Sequence, residues 1–336
     1  MSSLMELKNV SMTFYKKGKF LEKEKEIKVL RNINLSVEES EIMVIVGESG
    51  CGKTTIGRII TGLLKPTKGE LLFNGNNIYK LFNNEQNDFR NNVQFIQQDS
   101  YAALNPARTI YQSLSAPIKT KNKKMSQKNI NERINEIMQL VGLVPAEQFL
   151  YKFPHQLSGG QRQRILMARA ITLDPKLIVA DEPVSMIDVS LRLSILNLMS
   201  DLNRKLKISF VYITHDLATA RYIAHNGKIA VMYLGEIMET GSVKDLITSP
   251  SHPYTQALFA AVPIPDPLIA KQQKKLPIKS MDVGDLFNRS EGCPFFPRCP
   301  YAEEKCENSI IEYVDVNNVM VRCCNLERVP KWEQVR

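Results

Sequence analysis

Four short runs at residues 42–46, 177–180, 208–213 and 229–233 are almost continuously apolar and rich in Val and Ile. They alternate too little to be half-exposed strands, so they read as strands buried on both faces of a parallel sheet. Between them the apolar positions change period. Ile130, Ile134, Ile137 and Val141 recur at helical spacing before Gly142, which predicts an amphipathic helix with a stop. Strands alternating with helices predict an α/β fold with helices on both sheet faces. Residues 4–14 alternate as a half-buried strand, and 15–28, dominated by Lys and Glu, reads as a solvated hairpin loop. Residues 99–163 read as a helical insertion. From Pro250 onward Pro253, Pro263, Pro265, Pro267 and Pro277 break long elements, which places a boundary near Ser249. No internal repeat of useful length is visible.

Composition bounds the classes. The 336 residues are 43% hydrophobic and 24% charged, which excludes collagen-like, low-complexity and wholly disordered chains. The length suggests roughly two domains. No run approaches the roughly 20 apolar residues of a membrane span, and the first ten residues do not read as a secretory signal, so a cytoplasmic chain with at most peripheral membrane contact is expected. A net charge of +9 with no concentrated block is a weak nucleic-acid footprint. Five of the six cysteines lie between Cys293 and Cys324, a clustering that reads as metal or cluster ligation rather than a disulfide framework.

Two stretches carry phosphate chemistry. Gly47-Glu48-Ser49-Gly50-Cys51-Gly52-Lys53-Thr54 fits G-x-x-x-x-G-K-[ST] between an apolar strand and a helix. Its glycines let backbone N–H groups curl round phosphates, the helix terminus adds positive potential, Lys53 reaches the β/γ oxygens and Thr54 offers a hydroxyl to Mg²⁺. Cys51 reads as a small spacer. The run 177–180 ends in Asp181-Glu182-Pro183; one carboxylate must support hydrated Mg²⁺ and the other orient the attacking water, so Asp181 is assigned to the metal and Glu182 to the water.

Leu157-Ser158-Gly159-Gly160-Gln161 precedes a good helix sequence, a second anion-binding helix start. Lying between the two phosphate motifs, this pentapeptide resembles the signature of the ATP-binding subunits of ABC transporters. The resemblance implies a P-loop NTPase (RecA-like) core with an antiparallel β subdomain, a helical subdomain at about 99–163 and, across 1–249, one ATPase domain. It implies ATP and Mg²⁺ as ligands of Gly47, Glu48, Ser49, Gly50, Cys51, Gly52, Lys53, Thr54 and Thr55. Gln98 is placed like the glutamine that contacts Mg²⁺ and water, with Gln97 leaving the register open by one. His215 matches the switch histidine at the γ-phosphate, and Phe14 the aromatic that stacks on adenine. Asp188 ends Ser185-Met186-Ile187-Asp188 where the family usually has Ser-Ala-Leu-Asp, a departure at two positions. The resemblance also makes Glu182, His215 and Lys53 the catalytic set, and has Ser158, Gly159, Gly160 and Gln161 of one subunit close over the nucleotide of another.

The tail narrows the resemblance. His252-Pro253-Tyr254-Thr255-Gln256-Ala257-Leu258, the Pro-rich stretch 262–267 and the run from Gly292 to Ala302 are similar to the C-terminal extension of the oligopeptide/dipeptide permease branch, here 250–336. That branch implies a [4Fe-4S] cluster on Cys293, Cys299, Cys306 and Cys323, favoured over zinc, with Cys324 as bystander or substitute where the branch has His. It further implies a second ABC ATPase, as a heterodimer rather than a homodimer, two transmembrane permease subunits, an extracytoplasmic solute-binding protein and a place on the cytoplasmic face of the cell membrane. Relatives importing nickel or oligosaccharides, and soluble ABC ATPases acting on nucleic acid or the ribosome, are the alternative readings.

Overall fold

The computed structural model describes residues 3–16, 25–262, 278–282, 284, 289 and 291–332. The first layer is antiparallel. β1 (Met5–Lys16), β2 (Lys25–Val37), β4 (Lys68–Phe73) and β5 (Asn76–Asn77) form a sheet in the order β2-β1-β4-β5. Between them in the chain, β3 (Ile42–Gly47) and α1 (Lys53–Ile60) belong to the second layer. The charged stretch is strand at both ends: β1 runs through Lys16 and β2 starts at Lys25, so less of it is loop than its Lys/Glu content suggests. Cross-strand pairing of Tyr15 with Glu26 and Phe14 with Ile27 overrides the polar pattern. The remainder of that stretch, 17–24, lies outside the described residues, as do Pro263, Pro265, Pro267 and Pro277.

The second layer carries the parallel strands. After α2 (Asn83–Asn92) come β6 (Val93–Ile96), β7 (Leu177–Asp181), β8 (Ser209–Thr214) and β9 (Lys228–Tyr233), then β10 (Glu236–Ser242). The sheet continues through the late strands β11 (Val314–Val316) and β12 (Val319–Val321), in the order β11-β12-β10-β9-β3-β8-β7-β6. From β9 to β6 the neighbours are parallel, with β3 between β8 and β9. Every residue of β7 and β8 is buried, which is what continuous apolar strands require. β6 is the strand the apolar pattern misses: four residues with Gln94 in the middle carry no clear period.

Between β6 and β7 the chain is mostly helical: α3 (Ser100–Ala103), α4 (Ile110–Lys121), α5 (Gln127–Leu140) and α6 (Glu147–Leu150) lead to α7 (Gly159–Ile171). In α5, Ser126 caps the start by accepting the Asn129 N–H at 3.2 Å, and Ile130, Ile134, Ile137 and Met138 are buried. Each such burial contributes about 1.5–3 kcal/mol, which outweighs the few tenths of intrinsic propensity per residue, so packing holds the helix. Gly142, at φ 70°, ends it. α8 (Val189–Leu206) and α9 (Leu217–Ile223) cross between the core strands, and α10 (Val243–Thr248) and α11 (Pro253–Ala260) follow β10. The β11–β12 hairpin pairs with β10 through Glu239–Val321 and Thr240–Met320, so the Cys-containing tail extends the core sheet.

The turn between β9 and β10 positions the phosphate loop. Gly235 sits at φ 78°, and a Cβ there would lie 2.1 Å from the Val29 carbonyl oxygen. Its N–H donates to the Cys51 carbonyl at 2.9 Å and its own carbonyl accepts the Arg31 N–H at 2.9 Å, which ties the loop to the antiparallel sheet.

Candidate functional site

The loop from Gly47 to Thr54 leaves the buried end of β3 and enters α1 at Lys53. Gly47 has no room for a side chain, since a Cβ would come within 2.2 Å of the Met232 carbonyl oxygen. Gly52 is the α1 N-cap in the left-handed region at φ 102°, and no side chain caps it, so the first backbone N–H groups of the helix stay available to an anion. Lys53 is 6% exposed and its ammonium donates to the Gly47 and Glu48 carbonyls at 2.8 and 2.9 Å. The cation thus lies inside the arc of its own loop. Cys51 is buried, and burial pushes its thiol up despite the opposing Lys53 charge, which leaves a neutral spacer.

Asp181 ends β7 beside this loop. Burial raises its carboxyl above the usual range, opposed by a hydrogen bond with Thr54. Among the described residues its Oδ1 is buried without a hydrogen-bond partner. A buried carboxylate oxygen without a partner, close to a threonine hydroxyl, offers hard oxygen donors of the kind Mg²⁺ takes, so the residues fit that ion.

Glu182, one residue on, is held at φ 45°, a conformation that costs about 1–3 kcal/mol for a non-glycine residue. Its N–H donates to the Ile213 carbonyl of β8 at 2.9 Å, and its own carbonyl accepts the Ser185 hydroxyl at 2.9 Å. The carboxylate is thereby aimed at two groups from different strands. Gln98, after β6, donates its amide to Oε2 at 3.1 Å, and Nδ1 of His215, after β8, lies 2.9 Å from Oε1. Ionised, a carboxylate only accepts, so Nδ1 then carries the proton and Nε2 is the nitrogen left to face a ligand. Of the two neighbouring glutamines, Gln98 is the one whose amide reaches Glu182.

The remaining expected residues lie elsewhere. Ser158 is exposed at the N-cap of α7; its hydroxyl accepts the Gln161 N–H at 3.3 Å while the Gln161 side chain accepts the Ser158 N–H at 3.0 Å. This segment faces the 186–191 stretch: a Cβ on Gly160 would lie 3.1 Å from Leu191, and one on Gly159 3.8 Å from the Met186 carbonyl oxygen. Asp188 is exposed at the N-cap of α8, next to exposed Met186 and Val189. Thr55 is half-buried in the first turn of α1. Phe14 belongs to the antiparallel sheet, its ring 39% exposed.

Sequence reasoning missed a set of contacts from the tail. The Glu48 N–H donates to the Tyr254 hydroxyl at 3.1 Å, and Arg298 Nη1 donates to both Glu48 carboxylate oxygens at 3.0 and 2.8 Å. These partners are 206 and 250 positions apart, and no local pattern carries them.

Five cysteines, Cys293, Cys299, Cys306, Cys323 and Cys324, line one cavity of about 10 Å³ with His252, Tyr301 and Asn325. The Cys324 and Cys306 sulfurs are 2.9 Å apart, so the residue read as a bystander sits among the four expected ligands. Burial pushes the Cys293 and Cys323 thiols up, Cys299 up to about 11 and Cys324 up to about 12. Five soft donors fit a thiophilic metal in their chemistry. Their spacing does not yet match one: among the described residues no group of three or more His, Cys, Asp or Glu side chains is arranged to hold a metal ion, and the cavity has room for about one water rather than an iron–sulfur cube.

Glu239 fastens this tail to β10. Fully buried, it accepts the Ser251 and His252 N–H groups at 2.8 and 3.1 Å, and burial outweighs these bonds and pushes its carboxyl up to about 7. An acid raised from 4.5 to about 7 makes the folded state hold a proton that the unfolded state releases, so its stability contribution is complete below about pH 4.5 and fades as pH rises to 7, by roughly 3 kcal/mol at most. His252, pushed down to about 3 by burial, gives the opposite slope below 6.5. The comparison that isolates Glu239 is therefore urea unfolding of the protein and of Glu239→Gln between pH 5 and 8. The difference between the two curves should change with pH below 7 and level off above it; parallel curves would exclude this role.

The chain matches the family model described as ABC transporter over residues 30–185 and that described as oligopeptide/dipeptide transporter, C-terminal region, over 238–306. It is 37% identical to the oligopeptide transport ATP-binding protein AppF of Bacillus subtilis, over 96% of this chain and 97% of that protein. It is 41% identical to the dipeptide transport ATP-binding protein DppF of Haemophilus influenzae, over 88% and 87% of the two chains. Among solved structures, the dimeric ATP-binding cassette MJ0796 bound to ADP and Pi superposes with a TM-score of 0.62 at 32% identity, covering 71% of this chain and 98% of that one. Among the described residues no helix is long and apolar enough to cross a membrane.

Proposed function

The chain belongs to the ATP-binding proteins of the ABC transporter family, in its oligopeptide/dipeptide branch, and from that membership we propose that it hydrolyses ATP to drive import of oligopeptides or dipeptides through a membrane permease. The observation that carries the chemistry is the convergence of Gln98 and His215 on Glu182, one residue beyond the Asp181–Thr54 pair and the phosphate loop.

In this reading the N–H groups at the start of α1 and the Lys53 ammonium hold the β- and γ-phosphates. Thr54 and Asp181 hold Mg²⁺, which when bound neutralises charge on the β- and γ-phosphate oxygens. Each Glu182 oxygen has a second lone pair beyond its bond to Gln98 or His215, so the carboxylate can also accept from a water and orient it at the γ-phosphorus. In-line attack forms the new P–O bond as the bond to ADP breaks, with Lys53 and the outer nitrogen of His215 stabilising the transferring phosphoryl. The exposed α7 start at Ser158 and the exposed apolar Met186, Val189 and Leu193 suit a second ATPase subunit placed across this site. A heterodimer of ATPase subunits on the cytoplasmic face of the membrane, two transmembrane permease subunits and an external solute-binding protein complete the assembly we propose. For the tail we propose a [4Fe-4S] cluster on Cys293, Cys299, Cys306 and Cys323, whose thiol donors suit it in their chemistry and which would brace the extension.

Reconstitution with the second ATPase, the permease subunits and the solute-binding protein in proteoliposomes tests the cargo: ATP-dependent uptake of labelled di- or oligopeptides is expected, and uptake of nickel or oligosaccharides without peptide would replace that cargo. Anaerobically purified protein should be brown with absorption near 400 nm; colourless protein with stoichiometric zinc would reject the cluster.

A further inference from the structure

We propose that Arg298, in the cysteine-bearing tail, is a positioning residue for the ATP site that acts by clamping the second residue of the phosphate loop. The inference rests on the reading of Gly47–Thr54 as that site. All three polar groups of Glu48 are engaged: its N–H by the Tyr254 hydroxyl at 3.1 Å, its carboxylate by Arg298 at 2.8 and 3.0 Å, and its carbonyl by Lys53 at 2.9 Å. Two of the three partners come from the tail. The third is the lysine that must be presented to phosphate, so a shift of Glu48 moves the group that orients Lys53.

Arg298 is itself held without slack. Its Nε donates to the Ser280 carbonyl at 3.3 Å and its Nη1 to the Tyr233 hydroxyl at 3.3 Å, and its guanidinium lies 5.6 Å from the centres of the Tyr233 and Phe295 rings. Its N–H and that of Cys299 both donate to the Phe295 carbonyl, at 3.0 and 2.9 Å, so the turn that places Arg298 also places a cysteine of the tail cavity. The arginine side chain is 8% exposed and that of Glu48 25%, which shelters the pair from the screening that makes surface pairs weak. A merely structural ion pair would serve as well anywhere in the tail. This one ends on the loop that takes the phosphates.

The test compares ATP binding and turnover by the full chain with those of Arg298→Ala, Arg298→Lys, Glu48→Gln and the Arg298→Ala/Glu48→Gln double variant. Arg298→Ala should raise the Kd for a fluorescent ATP analogue and the KM for ATP about tenfold, with the loss in KM rather than kcat, as expected for a group that sets binding geometry. Arg298→Lys should recover part of it, and the double variant should be no worse than the poorer single one, because both remove the same contact. Unchanged affinity in both single variants, or losses that multiply in the double, would overturn the proposal. So would loss of thermal stability in Arg298→Ala with ATP affinity retained. If the unaltered chain binds no ATP, the site reading itself fails, an outcome distinct from all of these.

Discussion

Glu182→Gln should bind ATP as tightly as the unaltered protein and turn it over about a thousandfold more slowly, the scale of a lost general base. The substitution is nearly isosteric, so the backbone at φ 45° and the bond from the Glu182 N–H to Ile213 should persist, and the loss should not come from misfolding. The local network will change in a defined way. His215 Nδ1 and the Gln98 amide both meet the carboxylate in the unaltered protein, and an amide offers only one acceptor oxygen, so either one of the two reorients or His215 changes tautomer to accept from the new amide N–H. The stronger effect is on water, since an amide oxygen is a far weaker base than a carboxylate. With binding intact and chemistry stopped, the ATP-bound dimer should accumulate on size-exclusion chromatography. Near-normal steady-state hydrolysis in this variant would remove Glu182 from its assigned role and leave its neighbours without a centre.

The parts legible in the sequence are those encoded by contiguous residues. β7 could be read because Leu177 to Ala180 is apolar on both faces and the two carboxylates follow at its end, and the phosphate loop because its glycines and Lys53 lie within eight positions. Strand β6 escaped because four residues give no period, and the β11–β12 hairpin because two three-residue strands become strands only by pairing with β10. Contacts such as Arg298 with Glu48 were invisible for another reason. Nothing in the neighbourhood of either residue encodes a partner 250 positions away, and the topology that carries the tail back over β9 and β10 has to be built before the arginine can be seen to reach the loop. The cysteines fall between these cases. Their clustering in sequence was plain, whereas the presence of Cys324 within the same cavity as the other four follows only from the fold.

Lys53→Ala should weaken ATP binding at least a hundredfold, because it removes the one ammonium that the loop encloses. In the folded chain that cation satisfies itself on the Gly47 and Glu48 carbonyls and is almost wholly buried, so its desolvation has been met during folding rather than on binding. When ATP arrives, neutral carbonyl partners are exchanged for phosphate oxygens, and charge-assisted bonds of about 1.5–3 kcal/mol each are gained over weaker ones. Two such bonds lost amount to about 3–6 kcal/mol, which corresponds to a hundredfold or more in affinity. The fold should survive, because alanine is a good helix former at the start of α1 and the half-buried Glu48 stays open to water. Equilibrium binding of a fluorescent ATP analogue, measured beside the thermal midpoint, separates the two effects. Retained affinity in a folded Lys53→Ala protein would mean that the N–H groups of α1 alone hold the phosphates. Lys53→Arg should fall nearer to the alanine variant than to the unaltered chain, since the planar guanidinium is too wide for the space between the two carbonyls that the compact ammonium fills.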